Sequence, residues 1–203
     1  SLTADAASIT DAGNLTVVNT ADLDTSVANG NIDLSNASHA ITTLTADAGT
    51  GTVDVNASSA IMLGDIDASA FNATVAGDVT DTGILTVSGT TDIDTAASNG
   101  NITLNTNEHS LNTLQVDAGT GTVLVDEADA LTLQVDGAGD VTVDAGGALT
   151  LNAGSMISLT ADAASITDAG NLTVVNTADL DTSVANGNID LSNASHAITT
   201  LTA

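Results

Sequence analysis

The first 46 residues of this chain return without a single change at residues 158–203, a shift of 157 residues. A weaker copy relates residues 8–55 to residues 78–125, with 26 identities in 48 positions at a shift of 70. Self-similarity at long periods is typical of solenoids, in which each turn of chain buries its apolar face only by stacking on its neighbours. A sandwich or a closed barrel has no reason to reproduce 46 residues unchanged. We therefore predict a solenoid.

Short alternations of apolar and polar residues recur along the whole chain, for example LTV at 15–17 and VDV at 53–55. This period of two indicates β-strands with one buried face, and helical spacing is not sustained anywhere. Between the strands lie small and polar residues, including NGN at 29–31, 99–101 and 186–188, which tolerate positive φ in tight corners. The prediction is an all-β chain with one continuous solenoid domain over residues 1–203.

The size of one turn is bounded by the repeats, if equivalent residues lie a whole number of turns apart. The shift of 70, and the difference of 87 between the shifts of 157 and 70, must then both be whole numbers of turns. This gives turns of about 17.5 residues with two strands, or about 22 to 23 residues with three. Strand starts about 8 to 9 residues apart favour the smaller turn, and the alternative stays open. We predict a parallel β-solenoid with coils of about 17–23 residues.

The composition limits the partners of the chain. It has 26 Asp and Glu residues, no Lys or Arg, and a formal net charge of −26, so nucleic acid and anionic membrane surfaces are repelled and cations are attracted. Disorder is disfavoured because 42% of the residues are apolar and alternate regularly. No apolar run approaches the roughly 18 residues of a membrane span, so membrane insertion is not expected.

Four segments carry a family resemblance: GNLTV, VTDTGILTVSGTTDIDT, NGNITLN and VDAGGALTLNAG. They resemble the repetitive regions of filamentous-haemagglutinin-like and other giant bacterial surface proteins. The resemblance implies a right-handed parallel β-helix that is exported by bacteria to the cell surface and serves as an adhesin stalk, sheath or fibre. The secretion domain of many such proteins and an adhesive tip are not recognisable here.

Because the repeat returns unchanged and both ends resemble the interior, we interpret the chain as a window cut from a longer array. An uncapped parallel turn presents unpaired strand groups, which are a template for further stacking. The predicted function is a structural extracellular filament, formed by one giant polypeptide or by copies stacked end to end. The alternatives are an adhesin stalk whose binding tip lies elsewhere, an ice-binding solenoid with outward Thr ladders, and a calcium-binding solenoid.

Pairs of aspartates flank an inward Leu or Ile in ADLDT at 21–25, TDIDT at 91–95 and ADLDT at 178–182. Two carboxylates so placed project from one face about 7 Å apart, and stacking on acidic neighbours would favour bound Ca²⁺. The competing interpretation, which we prefer, is that these aspartates solvate the surface and discourage lateral aggregation. The candidate calcium ligands are Asp22, Asp24, Asp92, Asp94, Asp179 and Asp181.

Catalysis has little support in the sequence. His39, His109 and His196 are one position seen three times, and no nucleophile or companion ligand repeats with them. A role in a corner or in packing is therefore favoured over a metal-binding or catalytic one. We predict a non-enzymatic protein, for which calcium at the aspartate pairs is the one candidate cofactor.

Overall fold

A computed structural model of the chain describes residues 1–193 and 195–203, which form strands, turns and bends without a helix. No helix long and apolar enough to cross a membrane is found in these residues. The strands are β1 (Leu2–Asp5), β2 (Ile9–Thr10), β3 (Thr16–Asp24), β4 (Ile32–Asp47), β5 (Thr52–Ala57), β6 (Ile61–Ala68), β7 (Ala70–Val75), β8 (Val79–Asp81), β9 (Leu85–Asp94), β10 (Ile102–Asp117), β11 (Val123–Glu127), β12 (Leu131–Asp168), β13 (Leu172–Asp181), β14 (Ile189–Asp190) and β15 (Ala197–Thr202).

The strand pairings reported for the described residues are all parallel and join each turn of chain to the next, so the molecule is a β-solenoid of about 10 turns. This confirms the predicted fold class. The length of a turn varies along the chain: Asp54 stacks on Asn72, 18 residues on, whereas Leu15 bonds to His39, 24 residues on. The turns thus span about 18 to 24 residues, close to the predicted 17 to 23.

The core is a thin column of aliphatic side chains between the faces of the coil. In β5, Val53 and Val55 point inward and are at most 2% exposed, while Asp54 between them is on the surface. Phe71, the single aromatic residue, stacks directly on Val53 and is fully buried. Because each inward residue stacks on another in the next turn, the buried residues form one cluster that runs from Val17 to Leu180.

The NGN corners adopt the predicted positive φ. Asn29, Asn99 and Asn186 each have φ of 53°, in the left-handed region that asparagine tolerates better than most residues. A buried threonine closes each of these turns from inside; in the middle copy the Thr95 hydroxyl donates to the carbonyl of Gly100 at 2.7 Å. The same closure recurs in all three copies.

The corners also stack on one another through asparagine side chains. Asn99 Oδ1 accepts the backbone N–H of Thr120 at 3.0 Å, and Asn101 Oδ1 accepts that of Thr122 at 2.9 Å, each in the next turn. A Cβ added to Gly121 would overlap the carbonyl oxygen of Gly100, so glycine is required where the two corners approach. Polar corner residues thus satisfy backbone donors that no strand partner reaches.

The two identical segments fold in the same way. Leu2 pairs with Ala21, as Leu159 pairs with Ala178, and Ile9 pairs with Ile32, as Ile166 pairs with Ile189. Followed from Ile32 toward the end of the chain, its column reaches the turn of Ile189 after about eight turns. The shift of 157 residues therefore brings the chain back to nearly the same face of the coil.

The shift of 70 does not correspond to a whole number of turns. Successive partners of Ile32 are Val53, Phe71, Thr91 and Leu114, so its counterpart Ile102 falls between the third and fourth turns. Ile102 instead stacks between Val79 and Val123 in a different column. The assumption that equivalent residues share a column was wrong for this copy, since any inward position of the coil accepts the same aliphatic pattern.

The first and last turns are less buried than the middle. Leu2, Ile9 and Leu15 in the first turn, and Ile189 and Ile198 in the last, are only partly buried although they belong to the core columns. Interior residues of the same columns are covered on both sides, as Leu159 and Ile32 are at most 1% exposed.

Candidate functional site

The predicted aspartate pairs project outward, because each flanks an inward residue of a strand. Leu23 is 1% exposed, whereas Asp22 and Asp24 on either side of it lie at the surface. The same alternation places the pair Asp92 and Asp94, and the pair Asp179 and Asp181, on the outside of the coil. Their predicted orientation is thus observed, and whether they bind calcium stays a prediction.

Only one member of each pair stacks on other carboxylates. Asp24 pairs with Asp5 below and Asp47 above, and Asp47 pairs in turn with Asp67. The other member has neutral neighbours: Asp22 lies between Thr3 and Thr45, Asp92 between Asn72 and Gln115, and Asp179 between Thr160 and Thr202. The condition set for calcium binding, stacking on acidic neighbours, is therefore met by only one aspartate of each pair.

Two columns of four aspartates result, which we name the first and the second Asp ladder. The first comprises Asp5, Asp24, Asp47 and Asp67. The second comprises Asp126, Asp144, Asp162 and Asp181. Stacked carboxylates about 4.8 Å apart repel by roughly 1 kcal/mol in water, and burial together with the charges of Asp144 and Asp181 raises the pKa of Asp162.

The stacked member of each pair also caps the corner that follows it. Asp24 Oδ1 accepts the N–H of Ser26 at 2.8 Å and its hydroxyl at 2.6 Å, and these hydrogen bonds lower the pKa of Asp24. Asp181 accepts the N–H of Ser183 at 2.6 Å, and the hydroxyl and N–H of Ser183 together lower the pKa of Asp181. One oxygen of each carboxylate is thus engaged in the fold of its own turn.

Alongside the first Asp ladder runs an open groove of about 600 Å³ whose lining includes Asp22, Asp24, Asp47, Asp65 and Asp67. Its walls supply oxygen ligands and no cationic side chain. Among residues 1–193 and 195–203 there is no group of three or more His, Asp or Glu side chains arranged to hold a metal ion. The arrangement concentrates negative potential along one face and attracts mobile cations.

The three histidines occupy a buried site that repeats along the coil. His39 Nδ1 accepts the backbone N–H of Leu15 at 3.0 Å, and His39 Nε2 lies 3.5 Å from Asp11 Oδ2. Both side chains are at most 1% exposed. Because Nδ1 is an acceptor here, the imidazole is neutral with its proton on Nε2.

The other two copies reproduce this His–Asp pair. His109 Nδ1 accepts from Leu85 at 3.1 Å and Nε2 lies 3.7 Å from Asp81. His196 Nδ1 accepts from Leu172 at 3.2 Å and Nε2 lies 3.5 Å from Asp168. The predicted corner or packing role of the histidines agrees with this burial.

The His–Asp pairs of the first two copies each secure a bulge in the coil. Four residues between Leu104 and His109 face a single residue between Val125 and Glu127 in the next turn. Asp81 Oδ1 accepts the N–H groups of Asn105 and Thr106 at 3.1 and 3.2 Å, so the carboxylate satisfies donors that the ladder has lost. The histidine fills the inward position at which the strand resumes.

One family model matches the chain, described as repeats of unknown function (DUF5649), over residues 1–48, 50–118 and 138–203. The chain belongs to this family. Each matched segment of this DUF5649 chain contains one His–Asp pair, and the aspartate precedes the histidine by the same interval each time. No curated protein matches the chain, and no solved structure does.

The sequence analysis missed the acidic members of these sites in the DUF5649 chain. Asp11, Asp81 and Asp168 precede their histidines at a constant interval, which was a usable signal, but the apolar alternation gave no reason to turn them inward. Glu127 was also missed. It stands where the first copy has Ala57, and both residues pair with the histidine of the preceding turn.

Outward threonines stack in successive turns of some columns, as Thr90, Thr113 and Thr132 do, and are interrupted in others. Thr43, Thr80, Thr103 and Thr142 belong to one outward column, but Met62 and Leu124 interrupt it. An ice-binding face requires a regular ladder of such side chains, so this column lends the ice-binding alternative no support.

Proposed function

We propose that this chain is a structural segment of an extracellular filament or fibre built from stacked solenoid turns. The observation that carries the proposal is the identical strand pairing of the two identical segments. Leu2 and Leu159 each stack on an alanine that in turn stacks on a leucine, Leu44 and Leu201 respectively. A repeat unit that returns to nearly the same face can be added again and again without a change in packing.

Core residues of the first and last turns could accept a further turn of the same kind. Leu2 and Ile9 at one end and Ile189 at the other are core residues with one uncovered side. A further turn of the same kind would bury them, and burial of an aliphatic side chain contributes about 1.5 to 3 kcal/mol. In the proposed filament such a turn would come either from the same polypeptide or from another copy, which are the two forms of filament that the sequence predicts.

The surface chemistry is consistent with a hydrated, mutually repelling fibre. All 26 acidic residues are without a Lys or Arg counterpart in the sequence, and the Asp ladders run parallel to the long axis of the stack. Like charge discourages lateral aggregation of fibres and attracts cations as a diffuse layer. We accordingly propose that the chain associates with further copies of itself and with cations. We propose no binding to nucleic acid and no insertion into the membrane interior.

We also propose that the protein is not an enzyme. The imidazoles of His39 and His109 are fully buried and already hydrogen-bonded to the backbone, so they are not placed to meet a substrate. Export by bacteria and attachment at the cell surface, with an adhesive tip outside this sequence, remain the proposals that follow from the haemagglutinin-like texture of the repeats.

Electron microscopy of the native assembly tests the filament. We expect an unbranched thread with a stacking repeat of about 4.8 Å and a longer axial repeat of about 38 Å, since eight turns make one unit. Denaturing electrophoresis of the same material separates one giant polypeptide from copies joined end to end. Discrete particles that do not associate, and a source polypeptide no longer than one unit, would contradict the proposal.

A further inference from the structure

Glu127 is a buried carboxylate in a column otherwise made of core residues. It is 1% exposed, pairs with His109 in the turn before it, and pairs with Ala145 in the turn after it. In the related first segment the same position is Ala57, which pairs with His39. The middle copy therefore carries an ionisable group where its counterpart carries a methyl group.

No cationic side chain balances this carboxylate, because the chain contains no Lys or Arg. Both oxygens of Glu127 lie 3.0 Å from the backbone nitrogen of Leu111, and Oε1 lies 3.3 Å from that of Asp129. Burial raises the pKa of Glu127 to about 7, partly offset by these two N–H donors and reinforced by Asp129 and Asp126. A buried carboxylate without a cationic partner is more stable in its neutral form.

His109 and Asp81 extend the buried stack by one turn. His109 is fully buried, its Nε2 lies 3.7 Å from Asp81 Oδ2, and burial lowers its pKa despite the opposing charges of Asp81 and Asp126. The titratable groups beside Glu127 in sequence or in strand register are His109 and Glu108 on β10, Asp81 on β8, Asp126 on β11, Asp129 just after β11, and Asp144 on β12.

We propose that the buried stack of Asp81, His109 and Glu127 is a proton-operated joint in the middle of the solenoid. When Glu127 is protonated, the turns on either side pack around the neutral side chains of Glu127 and His109. Loss of that proton places a negative charge between turns and loosens the ladder that joins β10 to β11. The inference concerns the folded chain itself and holds whether or not the chain forms filaments.

Two matched backbone hydrogen bonds report on this joint. Ala128 N–H donates to the carbonyl of His109 at 2.8 Å, and Ser58 N–H donates to the carbonyl of His39 at 2.7 Å. The first lies beside Glu127, and the second lies beside Ala57 in the copy that lacks the carboxylate. Native-state amide hydrogen exchange on the full chain, corrected for the intrinsic effect of pH, measures the opening of both.

The test compares the wild-type chain with Glu127→Gln at pH 5 and pH 8. Because ionisation is easier in the opened turn, the ratio of Ala128 protection in the variant to that in the wild type should rise on the order of 50-fold over this interval. Because His109 is present in both proteins, the effect of its titration cancels in the ratio of variant to wild-type protection. Protection at Ser58 should change equally in the two proteins.

Glu127→Ala, which restores the side chain of the first copy, repeats the test if Glu127→Gln does not fold. An unchanged ratio between pH 5 and pH 8 would overturn the proposal, as would an equal change at Ser58. A carboxyl carbon signal of Glu127 that titrates near pH 4.5, the ordinary glutamate value, would overturn it independently.

Discussion

His39 Nε2 lies 3.5 Å from Asp11 Oδ2, and neither atom has a hydrogen-bond partner among the described residues. The other ends of both side chains are engaged, since His39 Nδ1 accepts from Leu15 and Asp11 Oδ1 accepts from Asn36. The pair therefore joins two backbone segments of successive turns through side chains. Its return at His109 and His196 makes it a repeated structural element of the coil.

Replacing Asp81 by alanine should destabilise the chain by about 2 to 3 kcal/mol, because the N–H groups of Asn105 and Thr106 lose their acceptor in the bulge. Chemical denaturation of the full chain measures the loss. Asp140→Ala is the matched control, since Asp140 is exposed, and it should change stability by less than about 0.5 kcal/mol. Equal effects of the two substitutions would contradict the structural role of the pair.

Asn99→Ala should cost more than Asn99→Gly. Both substitutions remove the acceptor of the Thr120 N–H, but only alanine must also hold φ at 53° against its Cβ. The difference between the two variants should be about 1 kcal/mol in the free energy of unfolding. Equal stabilities would show that the left-handed conformation of the corner is relaxed in solution.

Phe71→Ala should destabilise the chain by about 3 to 5 kcal/mol, because the ring is fully buried and stacks on Val53, and no neighbour can fill the cavity without breaking the ladder. Ile84→Ala serves as the control, since Ile84 is 47% exposed. Thermal unfolding of both variants checks the prediction, and a loss of similar size for Ile84→Ala would count against the core as described.

The stability of the chain should increase with monovalent salt, since added ions screen the repulsion between carboxylates of the Asp ladders. Asp144→Asn, in the middle of the second Asp ladder, should raise the melting temperature at low salt and weaken its salt dependence. Asp140→Asn lies outside both ladders and should do neither. The predicted calcium sites add a separate comparison: calcium at matched ionic strength should stabilise no more than magnesium if the aspartates act only as diffuse charge.

Three of the groups with shifted pKa values, His109, Asp24 and Glu127, illustrate how the stability should depend on pH. The lowered pKa of His109 means that the unfolded chain binds its proton more readily, so this contribution to stability is lost as the pH falls below about 6.5. The lowered pKa of Asp24 adds a loss below its ordinary value of 3.8. The raised pKa of Glu127 stabilises the folded chain in acidic solution, and this contribution is lost as the pH rises through about 7. Stability measured against pH should therefore peak in mildly acidic solution, and His109→Asn should flatten its acidic side.

The sequence by itself determined the fold class, the inward and outward faces of the strands and the corners. Alternation has a period of two in any strand, and Asn29 and Gly49 at positive φ are local requirements of a tight turn. It also identified Asp24 and Asp94 as outward carboxylates, because they flank inward residues. These features depend on neighbours along the chain, which a single sequence displays.

Only the tertiary structure decided which residues of different turns lie together. Ile32 and Ile102 occupy different columns although their segments are related, because turns of unequal length do not add up to a whole number over the shift between them. Likewise, the bulge before His109 is what brings Asp81 and Glu127 against the imidazole. Turn length and bulges set the register between coils, and register is a property of stacking that the alternation of one strand does not encode.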